Sequence, residues 1–193
     1  MASSSHSQDD IRLMLRFAAG DQEAFNALVA RHKDAAYRLA LRFLRNAELA
    51  EEVASEAFVR VWRSGNSYQP TASFSTWFYR IVVNLCYNRL RHFKTLEVRL
   101  RASPRESAQG LLSTAAPSAG TPADELAARE MNQLLQQAIL ELPESQRMAL
   151  LLSRVEGLSY TETAAAMGTT PKAVKSLMAR ARSALKLKLE RYL

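Results

Sequence analysis

The stretch S-Y-T-E-T-A-A-A-M-G-T-T-P-K-A-V-K-S-L-M-A-R-A-R-S-A-L-K-L, from Ser159 to Leu187, admits very few folds. Ser159 followed three residues later by Glu162 is a capping box, so a helix starts there. Gly168 supplies the left-handed residue that ends it. Thr170 caps a second helix and Pro171 takes its first position, where a missing amide hydrogen costs nothing. Ala164 is small enough for the second helix to cross closely, and Val174 and Leu177 close the apolar side, as in a helix-turn-helix. From Ser159 onward seven Lys and Arg stand against two Glu, a balance of +5. Such a face suits a phosphate backbone, although a helical hairpin with a solvated basic side gives the same pattern.

A chain of 193 residues that is 48% hydrophobic can bury one or two small cores. Its net charge of +7 favours a polyanionic partner, either nucleic acid or an anionic membrane surface. No apolar run reaches membrane-spanning length and M-A-S-S-S-H-S-Q-D-D has no hydrophobic signal core, so direct membrane insertion is not expected and a cytoplasmic location is. The lone Cys86 excludes an internal disulfide, and His6, His32 and His92 have no metal-ligand spacing. There is no Gly-rich phosphate loop and no nucleophile elbow. The expectation is a protein that is not an enzyme, with no small-molecule substrate, metal or cofactor.

Upstream of the helix-turn-helix, periodicity predicts further helices. Asp9 to Ala19 is a short one with Ile11, Leu15 and Ala18 on one side, stopped by Gly20. Asp21 caps a long helix whose Phe25, Leu28, Val29, Ala36, Leu39, Ala40 and Phe43 recur every three or four residues. Asn46 starts the next, with Leu49, Val53, Ala57, Phe58, Val61 and Trp62 inward and Glu48, Glu51, Glu52 and Glu56 on another side. Those acids form either a solvated face or a dock for a basic protein. The loop Gly65 to Ser75 carries Tyr68 and Phe74, and Ser75 caps a helix to about Lys94 with Phe78, Ile81, Val82, Leu85 and Cys86 inward.

Arg80, Asn84, Asn88 and Arg91 repeat along a separate, polar side of that helix. Between Thr76 and Arg105 seven basic residues oppose the single acid Glu97. Aromatic side chains beside a basic, amide-bearing helix can stack unpaired bases while the cations follow the backbone. Trp77, Tyr79 and Tyr87 also suit a core or its rim. Residues 95–123 are rich in Ala, Ser, Pro and Gly and read as a flexible linker. Few contacts are then needed between what lies on either side. From Asp124, Leu126, Met131, Leu134, Leu135, Ala138, Ile139 and Leu142 mark a helix that ends before Pro143, and Met148, Leu151, Leu152 and Val155 mark another that stops at Gly157. The fold class is all-α: two small helical domains, 1–94 and 124–193, joined by the linker 95–123.

This ordered set resembles the bacterial sigma factors, most of all the compact extracytoplasmic-function (ECF) group, over nearly the whole chain. Ala50 to Trp62 is similar to that family's core-polymerase-binding helix, and Phe74 to Asn84 to its promoter-melting segment. Leu142 to Arg147, Gly157 to Ala164 and Val174 to Arg182 are similar to its reader of the upstream element. The resemblance implies that Glu51, Glu52 and Glu56 face core RNA polymerase. It implies minus-ten contacts by Tyr68, Phe74, Trp77, Arg80, Asn84, Asn88 and Arg91, and minus-thirty-five contacts by Thr170, Lys172, Lys175, Ser176, Arg180 and Arg182. It further implies promoter DNA and an anti-sigma factor as partners, the latter able to hold the protein at the membrane.

Three positions depart from the family pattern. Ser55 stands where Gln is frequent, Lys172 replaces a frequent Gly, and Leu177 stands where many members carry Arg. Leucine can only pack, so base reading falls to the first turns of the last helix. The rival expectation is a conventional dimeric regulator that binds duplex operators through the same helix-turn-helix. It leaves the acidic helix, the aromatic loop and the basic helix without a role.

Overall fold

The structure is a computed structural model that describes residues 2–65, 68–99 and 122–190. Every regular element among them is helical: α1 (Ala2–Ala18), α2 (Gln22–Leu44), α3 (Ala47–Ser64), α4 (Phe74–Arg99), α5 (Pro122–Leu140), α6 (Glu144–Leu150), α7 (Tyr160–Met167) and α8 (Pro171–Leu189). A π-helical turn, Leu151–Val155, continues α6. Helices α1 to α4 form the N-terminal domain, with α2 packed on both α1 and α3 and α4 laid across them. Helices α5 to α8 form the C-terminal domain.

The helix starts follow their local chemistry. Asp21 accepts from the Ala24 amide at 3.2 Å and Asn46 from the Leu49 amide at 2.8 Å, which satisfies donors that a bare helix end leaves orphaned. Ser159 and Glu162 form the reciprocal capping box, Gly168 is left-handed at φ 64°, and Thr170 accepts from the Ala173 amide. Ala164, Val174 and Met178 are buried where α7 and α8 cross, and Leu177 packs against them.

Several boundaries and orientations differ from the sequence expectation. Ser73, not Ser75, caps α4: its hydroxyl accepts from the Thr76 amide at 3.1 Å, so the helix opens at Phe74. Residues 95–99 and 122–123, expected in the linker, are the end of α4 and the start of α5, and 100–121 lie outside the described residues. Met14, with Leu13 and Phe17, turns α1 inward, while Leu15 is exposed. Trp62 and Val155 are exposed as well.

The larger departure concerns the two domains, which share one core. Phe43, Phe78, Val82, Val83 and Cys86 of the N-terminal domain belong to the same buried cluster as Met148, Leu151, Leu152, Leu158 and Ala166. A second cluster, with Leu142, Ala149, Leu150, Val174 and Met178, closes the C-terminal domain itself. The run Met148 to Leu152 is therefore apolar all round because it is buried on two sides. Helix α7 lies against α4. At the seam Arg147 sits 4.9 Å above the Phe43 ring, in reach of a cation–π contact, and its Nη1 donates to the Leu140 carbonyl at 2.9 Å.

Candidate nucleic-acid and protein interfaces

Helix α4 carries one face of interest. Arg80, Asn84, Asn88 and Arg91 are all exposed and recur at three and four residues, so they form a stripe opposite the buried Phe78, Val82, Leu85 and Cys86. Arg91 Nη2 donates to Asn88 Oδ1 at 2.6 Å, which orients the amide. At the start of this helix the Trp77 ring lies 5.2 Å from the Tyr68 ring at 67°, both half-buried. Together they make an aromatic edge beside the polar stripe. Burial, with the nearby Asp10 charge adding to it, raises the Tyr68 hydroxyl above its ordinary value. That hydroxyl oxygen is buried with no hydrogen-bond partner among the described residues.

Phe74 does not join this edge. Its ring is 0% exposed, stacked at 10° on Phe78 and 5.8 Å from Trp77. It cannot take a base from solvent in this arrangement, and the expectation of a direct contact is corrected to one of support beneath Trp77. The reason is its position as the first residue of α4, where the loop folds the ring inward.

On α8, Thr170, Lys172, Lys175, Ser176, Arg180 and Arg182 are exposed, while Val174, Met178 and Ala181 hold the opposite side in the core. Lys172, Lys175 and Ser176 share the first turns. Arg182 lies farther along, its Nε donating to the Met178 carbonyl at 3.3 Å. A helix that presents its N-terminal turns with cations on one side has the form that enters a major groove.

The third face is on α3. Glu51 and Glu52 are exposed and Glu56 is half-buried. Glu52 is ion-paired to Arg89 of α4 at 3.2 Å, and Glu56 accepts from Arg60 at 3.1 Å. Beside these acids runs an apolar groove of about 490 Å³ between α2 and α3, lined by Phe25, Val29, Phe58, Val59 and Trp62 among others. Val59 and Trp62 are 41% and 48% exposed there, which is much for apolar side chains of that size. Trp62, expected inward from the periodicity, faces out. The available signal was its place one residue past Val61, about 100° round from the buried stripe of Ala50, Val53, Ala57 and Val61.

No group of three or more His, Cys, Asp and Glu among the described residues can hold a metal ion. No described helix is long and apolar enough to cross a membrane. Cys86 is fully buried, and burial pushes its thiol up to about 12.

Comparison with known proteins accounts for both domains at once. Residues 28–94 match the family model of Sigma-70 region 2 and residues 132–185 that of Sigma-70, region 4. The chain is 34% identical to the ECF RNA polymerase sigma factor SigW of Bacillus subtilis, over 88% of this chain and 91% of SigW. It is 32% identical to the ECF RNA polymerase sigma-E factor of Escherichia coli K12, over 92% of this chain and 93% of that one. Among solved structures it resembles CnrH in complex with the cytosolic domain of CnrY, with a TM-score of 0.68, 26% identity and coverage of 95% of this chain and 98% of CnrH. A dimeric operator-binding regulator would share only the helix-turn-helix, whereas these similarities run through α2, α3 and α4 as well. The chain belongs to the extracytoplasmic-function sigma factors of the sigma-70 family.

Proposed function

We propose that this sigma factor directs core RNA polymerase to promoters by a division of labour among the three faces. Glu51, Glu52 and Glu56, with the apolar groove beside them, bind core polymerase. Acids beside an apolar groove suit a basic, amphipathic helical partner: the groove supplies burial and the carboxylates fix orientation and rate of encounter.

Tyr68, Trp77, Arg80, Asn84, Asn88 and Arg91 read and melt the minus-ten element. Separated strands expose base faces and edges, which Trp77 and Tyr68 stack and the two asparagines read, while Arg80 and Arg91 neutralise phosphates. Thr170, Lys172, Lys175 and Ser176 read the minus-thirty-five element as duplex, and Arg180 and Arg182 hold its backbone. No covalent step falls to this chain; the polymerase performs the chemistry. Its place of work is the nucleoid in the cytoplasm. CnrH is seen with the cytosolic domain of CnrY; this chain takes an anti-sigma factor as partner, soluble or tethered to a membrane.

The observation that carries the reading is the coexistence on one chain of two separate cationic faces and one acid-rimmed apolar groove. A duplex-binding regulator needs only one of the three. The test is reconstitution of core polymerase with this chain on a promoter library. Expected is a new set of start sites with two conserved elements, lost on charge reversal of Glu52 and Glu56 in a variant that stays folded. Start sites unchanged by addition of the chain would end the proposal.

A further inference from the structure

One buried ionic cluster lies outside all three faces. Asp10 of α1 is 1% exposed, and its two carboxylate oxygens are taken by neighbours on α2. Oδ1 accepts from Arg31 Nη1, and Oδ2 lies 2.8 Å from His32 Nε2. A carboxylate only accepts, so Nε2 carries the hydrogen. A buried charge is tolerated only where donors replace its hydration, and here two do. Fastening α1 to α2 does not require this, because Met14 and Phe17 already pack there.

The cluster leads to the aromatic edge. The His32 ring lies 5.1 Å from Phe74 and 5.8 Å from Phe78. Phe74 lies 5.8 Å from Trp77, and Trp77 lies 5.2 Å from Tyr68. Torsion about the Cβ–Cγ bond of a histidine is soft unless a ring nitrogen is fixed. Asp10 fixes it. Phe74 and Phe78 are fully buried, so the packing around the imidazole has little empty space to absorb a turn of the ring, and the next ring along is Trp77.

We propose that Asp10 and His32 are positioning residues for promoter opening: Asp10 sets the His32 ring, the ring sets Phe74, and Phe74 holds Trp77 and Tyr68 at the angle that receives an unpaired base. Helix α1, which precedes the residues matched to Sigma-70 region 2, thereby becomes part of the minus-ten site. The inference rests on the role given above to Trp77 and Tyr68.

Asp10→Asn keeps the shape and one acceptor but removes the charge, and His32→Gln keeps an N–H toward Asp10 but removes the ring beside Phe74. Two measurements on the full chain decide the matter. The first needs no polymerase. In a Trp62→Phe background Trp77 is the sole tryptophan, and its emission maximum and acrylamide quenching at 20 °C should change in both variants. The second uses the otherwise native chain with core polymerase on a promoter that it selects from the library. Recruitment to the duplex should stay within about twofold, while the rate at which promoter thymines become permanganate-reactive falls about tenfold. A template already unpaired across the start region should restore most of that loss.

If the pair serves stability alone, the melting temperature falls but Trp77 emission and the opening rate at 20 °C match the native chain, and the inference is overturned. If the native chain opens no promoter, the sigma reading of this surface fails, and the tryptophan measurement still decides whether Asp10 and His32 position the edge. Should one variant not fold, the other carries both measurements.

Discussion

The Tyr79 hydroxyl donates to Glu156 Oε2 at 2.6 Å, a bond from α4 of one domain to the segment that leads into the helix-turn-helix of the other. With the shared core of Phe43, Val83, Met148 and Leu152 it holds the two domains together. Promoter elements centred near minus ten and minus thirty-five are about 25 base pairs apart, roughly 85 Å of duplex at about 3.4 Å per pair. A compact chain of this length has a radius of gyration near 16 Å, by scaling of about 2.2 Å times length to the 0.38 power. A chain that compact is too short to span both elements, and we expect the seam to open on the promoter. Glu156→Gln removes the charge at a hydrogen bond worth about 1 kcal/mol. We expect the open population, measured by single-molecule FRET between labels in α3 and α8, to rise about fivefold, and association with core polymerase to quicken. An unchanged distance distribution would show that the apolar seam alone sets the closed state.

Alkaline stability follows from the acids buried near that seam. Burial pushes Cys86 from its ordinary 9.0 up to about 12. Burial, with the Glu144 charge adding to it, pushes Tyr87 from 10.0 to about 12. Tyr79 is raised further by burial and then by Glu156. In each case the fold excludes the ionised form. Below about pH 9 native and unfolded chains hold these protons alike, so the contribution to stability is constant. Between about pH 9 and 12 the unfolded chain releases them first, and stability falls as pH rises, by about 1.4 kcal/mol per pH unit for each fully titrating group. Urea unfolding at pH 7, 9, 10 and 11 should show this fall, and Cys86→Ala should make it shallower. An identical slope in that variant would exclude Cys86 as a contributor.

The helix-turn-helix was legible because its boundaries are local chemistry: a hydroxyl and a carboxylate three residues apart, a glycine at φ 64°, a threonine followed by proline. The polar stripe of α4 was legible for a similar reason, since Arg80, Asn84, Asn88 and Arg91 keep one helical period. Orientation was harder where a residue borders two faces. Trp62 borders the buried stripe one residue past Val61 and faces out, whereas Phe74, four residues before the buried Phe78 but at the end of a loop, faces in. The closed seam was missed because Met148, Leu151 and Leu152 satisfy a helical period for one core, while their apolar neighbours Ala149 and Leu150 serve another. The pairing of Asp10 with His32 joins residues 22 apart on different helices and has no local signal.

Gly65 closes α3 in an ordinary right-handed conformation at φ −49°, so no backbone strain requires glycine there. Space does. A Cβ at this position would lie 2.6 Å from Phe17 Cε1. Phe17 is held 4.9 Å from Phe25 and 5.0 Å from Trp62, and the last two line the apolar groove. Gly65→Ala should cost about 1–3 kcal/mol by overpacking and weaken core polymerase binding, with affinity of the helix-turn-helix for duplex unchanged. Adding Phe17→Leu should recover part of both losses. Chemical denaturation and a core-binding titration check the pair; a single variant as stable as the native chain would mean that the ring yields without cost.

The C-terminal face separates three kinds of contribution that one binding constant would merge. Ser159→Ala removes the acceptor for the Glu162 amide and the hydroxyl that bonds Glu162 Oε2 at 2.7 Å, so α7 loses its capping box at a cost of about 1 kcal/mol. Ser159 is taken up by the cap, and occupancy should fall evenly across promoter sequences as the melting temperature drops. Arg182→Ala should also weaken binding evenly, but without loss of stability and with the salt slope reduced by about one. Lys175→Ala and Ser176→Ala should instead change which minus-thirty-five sequences are preferred, by about 1–3 kcal/mol at the bases they face. All four can be scored on one promoter library at two salt concentrations. Even weakening by the Lys175 variant, with the preference profile intact, would move the base-reading face away from the first turns of α8. Leu177, partly buried against the C-terminal core and unable to donate a hydrogen bond, offers no base contact of its own, which leaves Lys175 and Ser176 as the polar side chains beside it that can.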